Sequence, residues 1–287
     1  MSTPAAPMTS GAAGDMSLSE ADFSIVARMT HAHSGIVLAD GKRQLVYSRL
    51  AKQVRRRGLP SFAAYVELMR SDADVRREAI FALTTNHTKF FREDHHFDHF
   101  ARVVRPGLIA KAERGQPVRL WSSASSSGEE PYSLGMTLLG EERAAGAKLS
   151  QRDVAMLATD LAPHVLATAA AGRYPADMAR DVPERFRRTW TRTETGEMVM
   201  APELKRLVSY RQLNLLGPWP MRGKFDAIFC RNVMIYFDEP TKARLIERFA
   251  ELLAPGDHLY IGHSERVIGP AVDAFEPVGQ TIYRRRG

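Results

Sequence analysis

The segment Phe225–Phe237, FDAIFCRNVMIYF, carries the residues best spaced to do chemistry. An apolar run from Phe225 to Cys230 reads as a buried strand and stops at Arg231-Asn232. A second apolar run closes on Tyr236-Phe237, and Asp238-Glu239-Pro240 opens what reads as a helix. Polar groups at the carboxyl end of a buried strand are where open α/β sheets bind ligands. Ser122–Glu130, SSASSSGEE, is a loop of small residues between a predicted strand at 118–121 and a predicted helix. Small side chains let a ligand approach backbone N–H groups, and a helix start favours negative charge. With one glycine the loop departs from the Gly-x-Gly-x-x-Gly dinucleotide pattern, so it fits a cofactor loop or an ordinary turn. Asp160 ends the next predicted strand, where a carboxylate accepts from ribose hydroxyls or caps the following helix. Asn214-Leu215, just ahead of the Phe225 strand, could line the same cleft.

Thr84–Glu93, TTNHTKFFRE, mixes Asn86, Thr88 and Arg92 with the aromatics Phe90 and Phe91; its plainest reading is a helix cap leading into a core helix. His95 and His96 follow, but adjacent histidines point apart on a helix, so no metal pair is expected. No Ser-His-Asp order, zinc spacing or Gly-Lys-Ser loop stands out, which points to chemistry borrowed from a cofactor.

The elements that must position these residues fall into two blocks. From Leu18 to about Arg105 the pattern is helical. Within it Lys42–Arg57 places Val46, Leu50 and Val54 on one face and Arg49, Lys52 and Arg56 on the other, with Arg55 and Arg57 beside them. These sixteen residues hold seven basic groups and no acid. After Pro106, strands alternate with helices, which predicts an α/β fold with a mostly parallel sheet. Trp190–Leu213 alternates in short stretches and reads as a small antiparallel insertion.

The 287 residues include 44% hydrophobic and 25% charged, ordinary for a globular protein. No apolar run approaches a membrane span. Met1–Gly14 is rich in small residues and lacks a signal peptide's apolar core, so residues 1–17 are expected to form a disordered tail and the protein to be cytoplasmic. The one cysteine, Cys230, excludes an internal disulfide and reads as a buried strand residue. A net charge of +7 calls for an acidic partner without choosing among nucleic acid, lipid and protein.

Taken together the motifs resemble the chemotaxis receptor methyltransferases, the CheR family. The resemblance rests on ALTTNHTKFFRE at 82–93, LWSSASSSGEEPYSL at 120–134, LATD at 157–160, FDAIFCRNVMIYF at 225–237, LAPGDHLYIGHSE at 253–265 and GIVLADGKRQLVYSRL at 35–50. It implies an all-helical domain (18–90) followed by a Rossmann-like S-adenosylmethionine-binding α/β domain (91–287) with a β insertion near 188–213. It also implies S-adenosylmethionine as methyl donor, S-adenosylhomocysteine as product and receptor glutamates as acceptors. Carried over residue by residue, it places Asn86, Thr88, Arg92, Glu130, Asp160, Asn214, Leu215, Arg231 and Asn232 at the cofactor, and Arg92 and Tyr236 nearest the methyl group. Receptor methylation helices are acidic in this family, which gives Arg49, Lys52, Arg55 and Arg56 a docking role. Members that tether to a receptor pentapeptide have a longer, glycine-bearing β loop. Arg192–Met198 is short with only Gly196, so no pentapeptide binding is expected. A nucleic-acid methyltransferase would carry an Asn-Pro-Pro-Tyr-type motif and aromatics interleaved with its basic helix. Neither is found. A cofactor-binding adaptor without activity would not need Arg92 and Tyr236. No interface signal stands out, so a monomer is expected.

Overall fold

The computed structural model describes residues 16–287. All but two residues of the expected tail at 1–17 lie outside them. The chain divides into two compact units between Thr84 and Thr85. That is ahead of the boundary expected at 90, because Phe90 packs into the core of the second unit.

The first unit holds α1 (Glu20–Ser34), α2 (Arg43–Arg56), α3 (Phe62–Ser71) and α4 (Ala73–Leu83). Each start but that of α2 has a side-chain cap. Ser19 Oγ accepts from the Asp22 N–H and Ser61 Oγ from the Ala64 N–H, while Asp72 Oδ1 takes those of Asp74 and Val75. Such caps are each worth about 1 kcal/mol. Val46, Leu50 and Val54 of α2 are fully buried with Phe23, Phe62 and Met69, as their four-residue spacing requires.

The second unit opens with an irregular segment where a helix was expected. Phe91 and Glu93 take positive φ (51° and 57°). The flips let two consecutive aromatics both find packing partners, Phe90 edge-on to Tyr174 and Phe91 stacked on Phe186. The chain continues through α5 (His95–His99), α6 (Arg105–Glu113), β1 (Val118–Ser122), α7 (Glu129–Leu139), α8 (Arg143–Leu149), β2 (Val154–Asp160) and α9 (Pro163–Ala171). The single helix expected over 129–147 breaks at Gly140, whose φ of 82° no other residue type adopts readily. Next come β3 (Arg173–Pro175), α10 (Glu184–Trp190), β4 (Thr191–Glu194), β5 (Glu197–Met200), α11 (Pro202–Leu207) and β6 (Val208–Gln212). The chain ends with β7 (Phe225–Cys230), α12 (Glu239–Leu252), β8 (Leu253–Ile261), β9 (Phe275–Gly279) and β10 (Ile282–Arg285).

The main sheet runs β6-β2-β1-β7-β8-β10-β9, parallel through the first five strands and antiparallel at the last two. All six residues of β7 are buried, as befits a central parallel strand. A second sheet, β3-β5-β4, is the antiparallel insertion. Its membership differs from the expected 188–213. It recruits Arg173–Pro175, and β6 leaves to pair in parallel with β2. Alternation alone cannot say which of two sheets a strand joins.

Between α5 and β8 lies a cluster of histidines, His96 and His258 buried and His95 and His99 half-buried. His96 reaches Thr281 Oγ1 at 2.9 Å, and His99 bonds Tyr260 at 2.9 Å and faces His258. The His95 and His96 rings do not diverge as expected; their centroids are 4.1 Å apart. No group able to hold a metal ion occurs among the described residues. Burial, with the Arg231 charge, pulls His96 down to about 3, and burial with His99 alongside pulls His258 down to about 4. A base with a lowered folded pKa binds its proton first in the unfolded chain, so stability falls as pH drops below the unfolded value. Asp257, raised by burial to about 6, opposes this over the same window. The expected net loss between pH 7 and 5 is about 2 kcal/mol. It is measured by urea unfolding at both pH values, and His258→Gln should remove most of it; a loss unchanged by that substitution would contradict the assignment.

Candidate active site at the carboxyl edge of the sheet

Because β1 leads leftward to β2 and β6 while β7 and β8 lie on its right, the strand order reverses between β1 and β7. A crevice opens at the carboxyl ends of such strands. The loop after β1 is pinned across it: the Ser123 N–H donates to the Phe229 carbonyl and the Ser125 N–H to the Thr159 carbonyl, both at 2.8 Å. Tyr174 of the small sheet donates to the Ser127 carbonyl at 2.7 Å and supports the loop from outside.

On the β2 side, Asp160 organises the edge. Its Oδ2 accepts the Ser126 N–H at 2.9 Å and its Oδ1 the Ala162 N–H at 3.0 Å. The helix-start role is therefore present, and each oxygen keeps a lone pair for a ligand hydroxyl. Burial raises the Asp160 carboxyl against those hydrogen bonds. The Asp160 carbonyl accepts the Leu213 N–H at 2.9 Å, which brings Asn214 alongside. Ser126 Oγ donates to the Asn86 carbonyl at 3.1 Å. Asn214 Oδ1 accepts the Leu216 N–H, and the carbonyl of buried Leu215 accepts from Trp219 and Arg248.

On the β7 side, Arg231 is buried between two carboxylates. Its Nη1 donates to Glu130 Oε2 at 2.8 Å, and its Nη2 lies 3.3 Å from Glu93 Oε2 and donates to the Arg92 carbonyl. Ser122 Oγ donates to the other Glu130 oxygen at 2.7 Å. Burial pushes the Glu93 carboxyl up, but Arg231 and the hydrogen bonds from His263 and Asn232 outweigh it and hold it at about 2. Asn232 sits at φ 59°, its side chain donating to Glu93 Oε1 at 3.1 Å. Of the non-glycine residues with positive φ, Phe91, Glu93, Ser126 and Asn232 all fall at this edge or on the segment that meets it. Such strain persists only where the surroundings fix it, and it concentrates at functional sites.

The structure thus joins Asn86 and Asp160 at Ser126, with Asn214 next to the Leu213 that bonds Asp160, and Glu130, Asn232 and the Arg92 backbone around Arg231. Leu215 is buried beside the first group. The Arg92 side chain is a quarter exposed and donates to the His87 carbonyl at 2.9 Å. Thr88 and Tyr236 are half-buried, Tyr236 on a short 3-10 turn, Met234–Tyr236. Three residues that sequence reasoning passed over complete the edge: Glu93, His263 and Glu265. Glu93 adjoins Arg92 at the end of residues 82–93 and Glu265 closes residues 253–265, but nothing local in either says that it folds onto the end of β7.

The edge fits a small cationic cofactor. The guanidiniums of Arg231 and Arg92, the latter 4.0 Å from Glu93 Oε1, face the carboxyl groups of Glu93, Glu130 and Asp160, one acidic group more than the bases. Ser125 Oγ and Arg231 Nε are buried without a hydrogen-bond partner among the described residues, as expected of groups awaiting a ligand.

In the first unit, Arg49 is half-buried and donates to the Leu83 and Thr84 carbonyls at 2.6 and 2.8 Å, closing the end of α4. Arg56, with Arg57, pairs with Glu78. Lys52 and Arg55 are exposed.

Residues 86–284 match the family model described as CheR methyltransferase, SAM binding domain, and residues 21–84 match CheR methyltransferase, all-alpha domain. A Rhizobium etli protein, described as a probable chemotaxis protein methyltransferase, is 46% identical over 262 residues, covering 89% of this chain and 96% of that protein. Chemotaxis protein methyltransferase 2 of Pseudomonas aeruginosa is 42% identical over 267 residues, covering 91% and 92%. The chemotaxis protein methyltransferase of Escherichia coli is 38% identical over 275 residues, covering 93% and 92%.

Proposed function

The chain belongs to the CheR family of S-adenosylmethionine-dependent methyltransferases, and on that premise we propose that it methylates glutamate side chains on the cytoplasmic helices of chemoreceptors, for sensory adaptation. The observation that supports this most is the meeting at one sheet edge of Asp160, the Glu130–Arg231 pair and the strained Asn232 that leads to Tyr236.

When bound, S-adenosylmethionine supplies a methyl group activated by a sulfonium leaving group. Asp160 would take the ribose hydroxyls on its free lone pairs. Glu130, held by Arg231 and Ser122, would face the methionyl part, with Asn86, Thr88, Asn214, Leu215 and Asn232 completing the contacts. The acceptor needs no base, because a glutamate side chain with a reference pKa near ~4.3 is already ionised at neutral pH. What the enzyme contributes is alignment, at roughly 3–3.5 Å between attacking oxygen and methyl carbon, and exclusion of water from the carboxylate. In this reading Arg92 fixes the acceptor carboxylate or the cofactor, and Tyr236 orients the acceptor by a hydrogen bond. Both are the catalytic residues of the proposal.

Receptor docking is assigned to Arg49, Lys52, Arg55 and Arg56 on α2. Lys52 and Arg55 are the most open to an acidic helix, since Arg49 also closes α4 and Arg56 shares Glu78. The β4–β5 hairpin turns through Thr195 and Gly196 alone, at φ 48° and 78°. That is a two-residue turn with both central residues left-handed, and it leaves no loop to grip a tethering peptide. We read the enzyme as pentapeptide-independent, monomeric, cytoplasmic and inactive on nucleic acid. No helix among the described residues is long and apolar enough to cross a membrane.

The test is methyl transfer from labelled S-adenosylmethionine to a purified receptor cytoplasmic fragment and to RNA. Label on the receptor alone, with receptor KM raised at low salt by Lys52→Glu plus Arg55→Glu, is expected. Label on RNA, or none on the receptor, would overturn the reading, and saturable binding of a receptor C-terminal pentapeptide would overturn the pentapeptide assignment.

A further inference from the structure

We propose that Glu265 is a positioning residue for methyl transfer, and that the cavity beside it gives a small free carboxylate access to its place. The inference rests on the reading that Tyr236 serves the transfer, and it assigns a residue outside the cofactor and acceptor contacts named above.

Glu265 is buried, 5% exposed, in the turn after β8. Its Oε2 accepts the backbone N–H of Asn232 at 3.0 Å and of Gly262 at 2.5 Å, and its Oε1 accepts the Ile235 N–H at 3.2 Å. One carboxylate therefore holds both ends of the turn that starts at left-handed Asn232 and ends at Tyr236. Gly262 is the residue that allows the approach. A Cβ there would lie 2.5 Å from Asn232 Nδ2, 2.7 Å from the Asn232 backbone nitrogen and 2.9 Å from Glu265 Oε2. Removing the carboxylate leaves three backbone donors unpaired and releases the constraint that keeps Asn232 at positive φ. Tyr236 would then lose its aim while staying in place chemically. A misplacement of about 1 Å is enough to cost roughly 10²-fold in rate.

Glu265 also lines a cavity of about 220 Å³, walled by Met234, Ile235, Lys242, Arg266 and Ile268. That is several times the roughly 30 Å³ that a water takes in the liquid, so a formate or acetate ion fits. The wall also holds Glu239, which pairs with Lys242 at 2.9 Å, so its charges balance in the wild type, and Glu265→Ala leaves the lining, through Arg266, one positive charge in excess for an entering anion.

The experiment compares wild type, Glu265→Gln and Glu265→Ala in transfer to the receptor fragment, with and without formate, acetate, formamide or chloride at equal ionic strength. In Glu265→Gln an amide N–H faces backbone N–H donors. We expect kcat to fall about 10–100-fold in both variants, with receptor KM moving less than about threefold. We expect formate or acetate to restore Glu265→Ala about tenfold and saturably, and formamide or chloride not to. A merely structural role would not respond to carboxylate specifically. Unchanged kcat in Glu265→Gln would overturn the proposal, and so would a lost rate in Glu265→Ala that chloride restores equally or that no carboxylate restores. If Glu265→Ala does not fold, the isosteric Gln variant decides alone: lowered kcat at nearly constant KM supports the proposal, and wild-type kcat overturns it. A wild type that forms no ester on the receptor would instead overturn the functional reading itself.

Discussion

Arg231→Met should lose about 3–5 kcal/mol of stability and cofactor binding together, because it strips one guanidinium from two buried carboxylates. In the wild type Arg231 bridges Glu130 and Glu93 and also holds the Arg92 carbonyl. Methionine fills the volume but leaves Glu130 and Glu93 facing each other in a dry site. The pH dependence has a definite sign. The wild-type Glu93 pKa of about 2 lies below its unfolded value, so its contribution is present above the unfolded pKa and is lost as pH falls toward 2. Without Arg231, burial is opposed only by the hydrogen bonds from His263 and Asn232, the Glu93 folded pKa rises, and the variant is penalised most at neutral pH and relieved as pH falls through the carboxylate range. Urea unfolding at pH 7 and pH 5 reads this directly. Adding Glu130→Gln should restore part of the loss. An Arg231→Met protein within about 1 kcal/mol of wild type at pH 7 would mean that the pair contributes nothing beyond its packing.

Tyr236→Phe should slow methyl transfer by about 10²-fold while leaving S-adenosylhomocysteine affinity within about twofold, since one oriented hydrogen bond at a reacting centre is worth that much. Calorimetry separates affinity from turnover measured on the receptor fragment. A parallel loss of affinity would move Tyr236 from the acceptor to the cofactor. Arg92→Ala complements it. The Arg92 contact with Arg231 uses the backbone carbonyl and survives the substitution, so any lost turnover reports the guanidinium itself. Undiminished turnover would remove Arg92 from the chemistry.

Much of the architecture was legible because periodicity tracks burial. Val46, Leu50 and Val54 marked the buried face of α2, and the six apolar residues of β7 marked a strand covered on both faces. The strand ends at Asp160 and Arg231-Asn232 were equally readable, since a polar residue closing an apolar run has few other places to go. What escaped were features set by distant partners. The break at Gly140 and the flips at Phe91 and Glu93 depend on backbone angles that a smooth hydrophobic pattern does not encode. Tyr174 joins the small sheet from outside the alternating stretch, and β6 leaves that stretch for the main sheet, because short alternating strands carry no address. Nothing local marks Glu93 and Glu265 as part of the site, since only the folded chain brings their partners Arg231 and Asn232 within reach. Arg49, on the basic face of α2, also closes α4, and a helix end that needs a donor is invisible from the donor's own segment.

The claim on which the rest depends is that S-adenosylmethionine binds at the reversal of strand order and delivers its methyl toward Tyr236. A crystal structure of the protein with S-adenosylhomocysteine tests it most directly. The ribose hydroxyls should lie on Asp160, the methionyl part against Glu130 and Arg231, and the sulfur should be directed at Tyr236. A nucleotide bound elsewhere on the chain, or a crevice still empty after saturation with it, would contradict the account.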